Sequence, residues 1–220
     1  MGFSLVAEGL LAAYLPASSW TPLMSKLGYS VGFLIVVLGR QQLYTETTLT
    51  AVLPLLAQRN WTTAARTLRS TLRLWAVVLI ANLVGTYLFA FCVGRSAIFP
   101  PHIHQVLLQV SAGTGDGAFG AVFIRAVFAG WLIALMVWLL PAAESARISI
   151  IVIITYIIRL GGFNHVIAGS TKVMFLVVTG AEAWSHYFMR FFLPTLIGNI
   201  VGGVSLVAFL GHAQIASGSE

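Results

Sequence analysis

The chain has 220 residues, of which 59% are hydrophobic and only 8% are charged, and its formal net charge is +6. Soluble domains carry about 25% charged residues, so too few charges are present here to cover a water-facing surface, and lipid must be the solvent. The basic residues are spread along the chain without a solvated aromatic platform, which argues against nucleic-acid binding. The length allows about six membrane spans of roughly 20 residues each.

Six apolar segments are predicted to cross the bilayer. The second and fifth are too long for one uninterrupted crossing, and each contains a polar gap. The first is short for a span, so we expect a helix that begins abruptly or whose start is missing from this chain. The predicted spans cover residues 2–15, 27–57, 72–94, 119–140, 147–178 and 191–211.

The two polar gaps lie near residues 42–48 and 161–165. Hydrocarbon cannot solvate free backbone N–H and C=O groups, so a membrane helix breaks only where protein or a water-filled cavity surrounds the break. Two such breaks at corresponding places in two halves of a chain predict a transport site between them.

A seven-residue motif strengthens the comparison of the halves. LIANLVG begins at residue 79 and LIGNIVG begins 117 residues later, at residue 196, while Thr45 and His165 are 120 residues apart. We therefore predict one domain, residues 1–220, built as an inverted repeat of two three-span units, about 1–94 and 118–211. The motif asparagines, Asn82 and Asn199, either cap broken backbone or form interhelical hydrogen bonds in a glycine-rich seam.

His165 is the leading candidate for chemistry. It lies at the second break, between Gly161-Gly162 and Gly169-Ser170. A charged histidine is costly near the bilayer midplane, and an arriving weak-acid anion supplies the missing counter-charge. The two can then exchange a proton, because imidazole titrates near neutral pH. The alternative is a neutral histidine bonded to a backbone carbonyl at the break.

The first break contributes hydroxyl and charged groups. Thr45, Thr47 and Thr48 can donate to an anion or cap the helix that is predicted to restart at Leu49. Ionisable residues within spans are functional candidates by default, and here they are Arg40, Glu46, Arg159 and Lys172. Pairing of Glu46 with Arg40 or with Lys172 is the structural alternative.

The remaining polar residues predict the orientation of the protein in the membrane and argue against other functions. The arginine-rich stretch 59–73 is predicted to face the cytoplasm, and residues 95–117 are predicted to form an external loop that joins the halves. Arg125 is expected to snorkel from a span end. The spans contain no nucleophile–base pair and no set of metal ligands, so neither an enzyme nor a metal site is expected.

Several stretches together resemble the formate/nitrite transporter family over nearly the whole chain. They are residues 39–49 with the Leu-Tyr-Thr triplet, residues 125–131, the Gly-Phe-Asn-His stretch 162–165 followed by Ala168, and residues 197–203. The resemblance implies an all-α, aquaporin-like membrane protein with six helices in an inverted 3+3 repeat, the second and fifth broken. It also implies a homopentamer with one pore per protomer and no cofactor.

The family resemblance further implies a channel for small monovalent anions or their conjugate acids, of the formate, nitrite, acetate or hydrosulfide class. A central histidine would protonate the substrate between two hydrophobic constrictions. The substrate pathway would comprise His165, Thr45, Asn199, Asn164 and Arg40. By position, the outer constriction matches Tyr29, Phe33 and Ile158, and the inner one matches Leu43, Tyr44 and Ile133.

Departures from the family pattern concern the substrate more than the fold. Asn164 stands where many members have glutamate, and Arg40, Gln41 and Gln42 replace small residues. Together they indicate a divergent branch of bacterial inner-membrane members. A channel for water or a neutral solute, with a purely structural His165, is the alternative.

Overall fold

The computed structural model describes residues 1–48 and 61–217, and the regular structure in these ranges is helical. Four helical stretches within them are long and apolar enough to cross a membrane: Thr21–Leu38, Thr63–Arg95, Phe119–Ala142 and His186–Leu206. Two further apolar helices, Gly2–Tyr14 and Val166–Thr179, are shorter.

The helices follow one another along the chain with short connections. The α-helices are α1 Gly2–Tyr14, α2 Thr21–Lys26, α3 Ser30–Leu38, α4 Trp61–Arg95, α5 Pro101–Ser111, α6 Phe119–Leu139, α7 Arg147–Leu160, α8 Val166–Thr179 and α9 Leu193–Ser217. A 3-10 turn at Leu27–Tyr29 joins α2 to α3, the turns Leu140–Ala142 and Glu144–Ala146 lead from α6 to α7, and a π-helical segment, His186–Phe192, leads into α9.

Three predictions of element boundaries are wrong. The third span was expected to begin at residue 72, whereas α4 begins at Trp61, because residues 61–72 contain neither glycine nor proline to stop a helix. The predicted loop 95–117 contains α5, which has proline at its first position and buries Ile103 and Leu107. Proline is well tolerated at that position, since its missing N–H would have no helical partner. The helix after the first break was expected to restart at Leu49, whereas residues 44–48 are already helical, because Leu43 O accepts from Thr47 N–H at 2.9 Å.

Glycines allow α6 and α9 to pack with their backbones in close approach. A Cβ on Gly198 would lie 2.5 Å from Phe123 O, and one on Gly202 would lie 2.2 Å from Val127 O. Any larger side chain would push the helices apart. This spacing of two glycines four residues apart is typical of tightly packed helices in membranes, and it fixes the Asn199 side chain between α6 and the second break.

The short helix α1 is held against the turn that precedes α3. Ser4 Oγ donates to Tyr29 O at 2.6 Å and accepts from Gly32 N–H at 3.2 Å. A Cβ on Gly28 would lie 2.4 Å from Glu8 N. Because the backbones approach so closely, the Glu8 side chain is carried into the interior, where it is 2% exposed.

Candidate functional site

The first break begins with a tight left-handed turn at the end of α3. Arg40 has a φ of 52°, and it is the one non-glycine residue with positive φ in the described part of the chain. Its N–H donates to Val37 O at 3.1 Å, and Gln41 N–H donates to Val36 O at 2.9 Å. These two bonds form a Schellman motif, which satisfies the last carbonyls of a helix.

The second break begins with the same motif at the end of α7. Gly162 has a φ of 65°, its N–H donates to Arg159 O at 3.4 Å, and Phe163 N–H donates to Ile158 O at 3.0 Å. Gly162 therefore occupies the position that Arg40 occupies in the first break. Glycine adopts this conformation without steric cost, whereas arginine does not.

Each motif asparagine binds the broken backbone of its own half. Asn82 Oδ1 accepts from Tyr44 N–H at 3.0 Å, and its Nδ2 donates to Gln42 O at 3.2 Å. In this way α4 supplies both a donor and an acceptor to backbone groups that have lost their helical partners, which is the requirement for a break within a membrane.

Asn199 repeats this arrangement in the second half. Its Oδ1 accepts from Val166 N–H at 2.8 Å, and its Nδ2 donates to Asn164 O at 2.8 Å. The same Nδ2 also donates to Ala126 O on α6 at 2.8 Å, so Asn199 both caps the break and links two helices. Asn199 is 2% exposed.

These bonds set the correspondence between the breaks. Gln42 is equivalent to Asn164 and Tyr44 to Val166, an offset of 122 residues, so the residue equivalent to His165 is Leu43. The sequence-based pairing of Thr45 with His165, at an offset of 120, is therefore two residues out of register with the backbone. Thr45 contacts His165 as a partner and is not its counterpart.

His165 is the N-cap residue of α8. Ala168 N–H donates to its Nδ1 at 3.2 Å, which leaves Nδ1 without a proton, and a neutral ring then carries its proton on Nε2. Nε2 lies 2.8 Å from Thr45 Oγ1, so the ring donates to the threonine. The Thr45 hydroxyl keeps its own proton to donate, and no acceptor for it is found among the described residues.

Apolar side chains enclose this pair. The Phe33 ring meets the His165 ring edge-on, with centroids 5.1 Å apart, and Tyr29 packs on Phe33 at 5.3 Å. All six side chains predicted to form constrictions are buried in one apolar cluster: Tyr29, Phe33, Leu43, Tyr44, Ile133 and Ile158.

His165 lines a cavity of about 140 Å³, and we call it the cationic cavity. Three positively charged side chains line it, those of Arg125, Arg159 and Lys172. Asn164 also lines it, and the Nδ2 of this residue is buried with no hydrogen-bond partner among the described residues. A buried donor without an acceptor is costly, so this wall of the cavity suits a ligand that carries acceptor oxygens.

The predicted pathway residues are brought together with one exception. His165, Thr45, Asn199 and Asn164 form the connected group described above, whereas Arg40 is exposed and is not among the residues that line the cationic cavity. Arg40 was selected because it is charged, but its unusual feature is the left-handed backbone conformation, which a residue's charge does not predict.

Sequence reasoning missed the acidic partner of the cations. Lys172 and Arg159 both bond to Glu8, and neither pairs with Glu46. A single carboxylate within the apolar segment 2–15 was the available signal, because an ionisable residue in a membrane helix is itself a functional candidate.

Comparison with known proteins agrees with this architecture. The profile described as "Formate/nitrite transporter" matches residues 1–213. The chain is 38% identical over 215 residues to inner membrane protein YfdC of Escherichia coli, with 98% of this chain and 68% of that protein covered. The chain belongs to the formate/nitrite transporter family.

Other members of the formate/nitrite transporter family are more distant. Formate channel BtFdhC of Bacillus thuringiensis is 28% identical over 198 residues, which cover 86% of this chain and 73% of that one. A solved structure titled "Pentameric formate channel with formate bound" superposes with a TM-score of 0.73 at 21% identity, covering 100% of this chain and 94% of that chain. The chain is thus a multi-pass membrane protein with the fold of that channel, and its family supports anion transport.

Proposed function

We propose that this formate/nitrite transporter family member conducts small monovalent anions, or their conjugate acids, through a pore in each protomer. The observation that supports this most directly is the 2.8 Å bond between Thr45 and His165, formed where two helices restart next to a cavity lined by three cations. The N-terminal ends of helices favour anions, because their free N–H groups and dipoles point outward.

In this proposal the anion accepts a hydrogen bond from the Thr45 hydroxyl. The ring first takes up a proton from water at Nδ1 as Ala168 N–H is released, and it becomes an imidazolium whose charge the anion balances. The imidazolium then gives its Nε2 proton to Thr45 Oγ1 as the hydroxyl proton moves to the anion, which leaves as a neutral acid. The neutral ring loses the Nδ1 proton to water and takes one up at Nε2, which restores its resting tautomer and its bond to Ala168 N–H. Neutral acids pass apolar constrictions far more readily than anions do.

The surrounding architecture in the proposal follows the family. The six buried apolar residues listed above form constrictions on either side of the polar pair, within six spans arranged as an inverted 3+3 repeat. Five protomers assemble in the bacterial inner membrane, each with its own pore. Formate, nitrite, acetate and hydrosulfide are the candidate substrates.

Purified protein in liposomes tests the proposal. Formate counterflow is compared between the wild type and His165→Phe across about pH 5 to 8, an interval that brackets the ordinary titration of histidine. The wild type should transport formate with a clear pH dependence, and the variant should lose most of the flux. Equal flux at every pH would remove His165 from the mechanism.

The N-cap bond of His165 favours a second candidate, a channel for water or a neutral solute. Because Nδ1 already serves α8, the ring has a structural role that requires no anion. Stopped-flow swelling of the same liposomes separates the two functions. Fast swelling in water or urea without formate flux would establish the second candidate.

A further inference from the structure

A buried carboxylate bridges two of the cations that line the cationic cavity. Glu8 is 2% exposed; its Oε1 lies 2.6 Å from the Arg159 guanidinium, and its Oε2 lies 2.7 Å from Lys172 Nζ. The Lys172 ammonium also lies 5.7 Å from the centre of the Tyr29 ring. Arg159 and Lys172 line the cavity, whereas Glu8 is not among the lining residues.

Arg159 and Lys172 lie on opposite sides of the second break, and Glu8 reaches both of them from a third helix. Glu8 belongs to α1, Arg159 to the last turn of α7, and Lys172 to α8. Arg159 also donates to Val110 O on α5 at 3.3 Å. Such a cross-link orders the break, but buried ion pairs are an inefficient source of stability because each charge must be desolvated. Neutral side chains would link the same helices at lower cost, so the charges require a further explanation.

We propose that Glu8 is an internal competitor for the permeating anion. The Glu8 carboxylate binds Arg159 and Lys172 while the cavity is empty. When a substrate carboxylate arrives, it replaces Glu8 in part of these contacts. Formate and acetate carry the same functional group as Glu8, so they accept from the same N–H donors with similar geometry. This inference rests on the proposed anion pathway and adds the residue that sets how tightly the cavity holds its anion.

The charges around the cavity support such a role. Arg125, Arg159 and Lys172 contribute three positive charges, and Glu8 compensates one of them. A conduction pathway must bind its ion strongly enough to admit it and weakly enough to release it. Without Glu8, the two neighbouring cations would bind the anion without competition, and release would slow.

The unpartnered amide of Asn164 is a second, independent indication of a ligand. Asn164 lines the same cavity, and its buried Nδ2 lacks an acceptor among the described residues. An anion held by Lys172 and Arg159 would present an oxygen to this donor. When Glu8 takes back Arg159 and Lys172, the anion would keep only its hydrogen bond from Asn164 as it moves toward His165.

Formate uptake into liposomes, measured against formate concentration, tests the role of Glu8. In Glu8→Gln the competing charge is lost in a side chain of nearly the same shape, and we expect the KM for formate to fall about three- to tenfold together with the maximal rate. The matched control is Glu144→Gln. Glu144 is exposed and pairs with Arg147 at 3.5 Å, so its loss should change neither value.

A double variant separates charge from cross-linking. Glu8→Gln with Lys172→Met removes one charge of each sign, so we expect the KM to return toward the wild-type value although the link to α8 stays broken. A purely structural Glu8 predicts that the KM stays at the wild-type value in Glu8→Gln and that pentamer yield falls in both variants, and this result would overturn the inference. If the wild type carries no formate above empty liposomes, the proposed function fails as well, whereas an unchanged KM in a conducting Glu8→Gln protein refutes the role of Glu8 alone.

Discussion

Thr45 and His165 join the two restarted helices through a single 2.8 Å hydrogen bond, although 120 residues separate them in the chain. His165 caps α8, and Thr45 lies in the first turn of the helical residues 44–48. The ring donates, and the hydroxyl retains a proton that no described group accepts. The bond therefore connects the two halves of the protein and at the same time presents a donor to any anion between them.

Replacement of Thr45 by valine tests this donor. Valine has nearly the same shape but lacks the hydroxyl, so we expect formate flux in liposomes to fall about ten- to a hundredfold, as for loss of a hydrogen bond to a charged group. Thr45→Ser keeps the hydroxyl and should retain most of the flux. If valine and serine variants conduct equally well, the hydroxyl does not contact the substrate.

Two substitutions of His165 separate its capping role from proton transfer. Asparagine can accept from Ala168 N–H as an N-cap, whereas alanine cannot, so His165→Ala should lose about 1 kcal/mol more stability than His165→Asn. Neither variant can relay a proton, and both should lose the pH dependence of formate flux. Thermal unfolding of the detergent-solubilised protein measures the first effect. Full pH-dependent flux in His165→Asn would show that the ring is needed only as a cap.

The two motif asparagines should differ in importance. Asn199 is buried and makes three hydrogen bonds, whereas Asn82 is half-buried and makes two. Leucine at position 199 leaves buried backbone groups without partners and should cost about 2 to 3 kcal/mol, against about 1 kcal/mol at position 82, where water can replace the amide. Denaturation midpoints of both variants measure the difference, and equal losses would contradict it.

Two glycines at the same position of the repeated motif should also respond differently. A Cβ on Gly202 would lie 2.2 Å from Val127 O, whereas nothing lies within 4 Å of one on Gly85. Gly202→Ala should therefore destabilise the protein by about 1 to 3 kcal/mol through overpacking, and Gly85→Ala should be neutral or gain up to about 1 kcal/mol of helix propensity. Thermal unfolding of both variants provides the measurement. Equal destabilisation would indicate that Gly85 is covered in the assembled protein.

Local patterns predicted the family and the position of the second break. The first break was expected at residues 42–48 but occupies residues 39–43, since residues 44–48 are helical. The polar gaps, the flanking glycines and the repeated asparagine motif are short-range signals, and the break at 161–165 falls between α7 and α8 as expected. The helix α5 was missed because Pro100 and Pro101 were interpreted as loop residues. A proline at the first position of a helix is equally compatible with a helix start.

Contacts between residues far apart in the chain could not be predicted from the sequence. Glu8 meets its two partners 151 and 164 residues away, and no local pattern specifies which of several buried cations a carboxylate will reach. The register of the repeat was missed for a related reason. Thr45 and His165 were paired by the spacing of the two polar gaps, whereas the equivalence of Leu43 and His165 rests on the backbone hydrogen bonds that Asn82 and Asn199 make.

The N-cap bond at His165 has one more consequence. Nδ1 holds Ala168 N–H, so the ring can become an imidazolium only if that amide is set free. Positive charge on the ring and the bond from Ala168 N–H to Nδ1 are mutually exclusive states. Release of this amide and acid uptake by the ring must therefore occur as one event, and the protection of the Ala168 amide against hydrogen exchange, relative to its intrinsic rate at each pH, should fall as the medium is acidified.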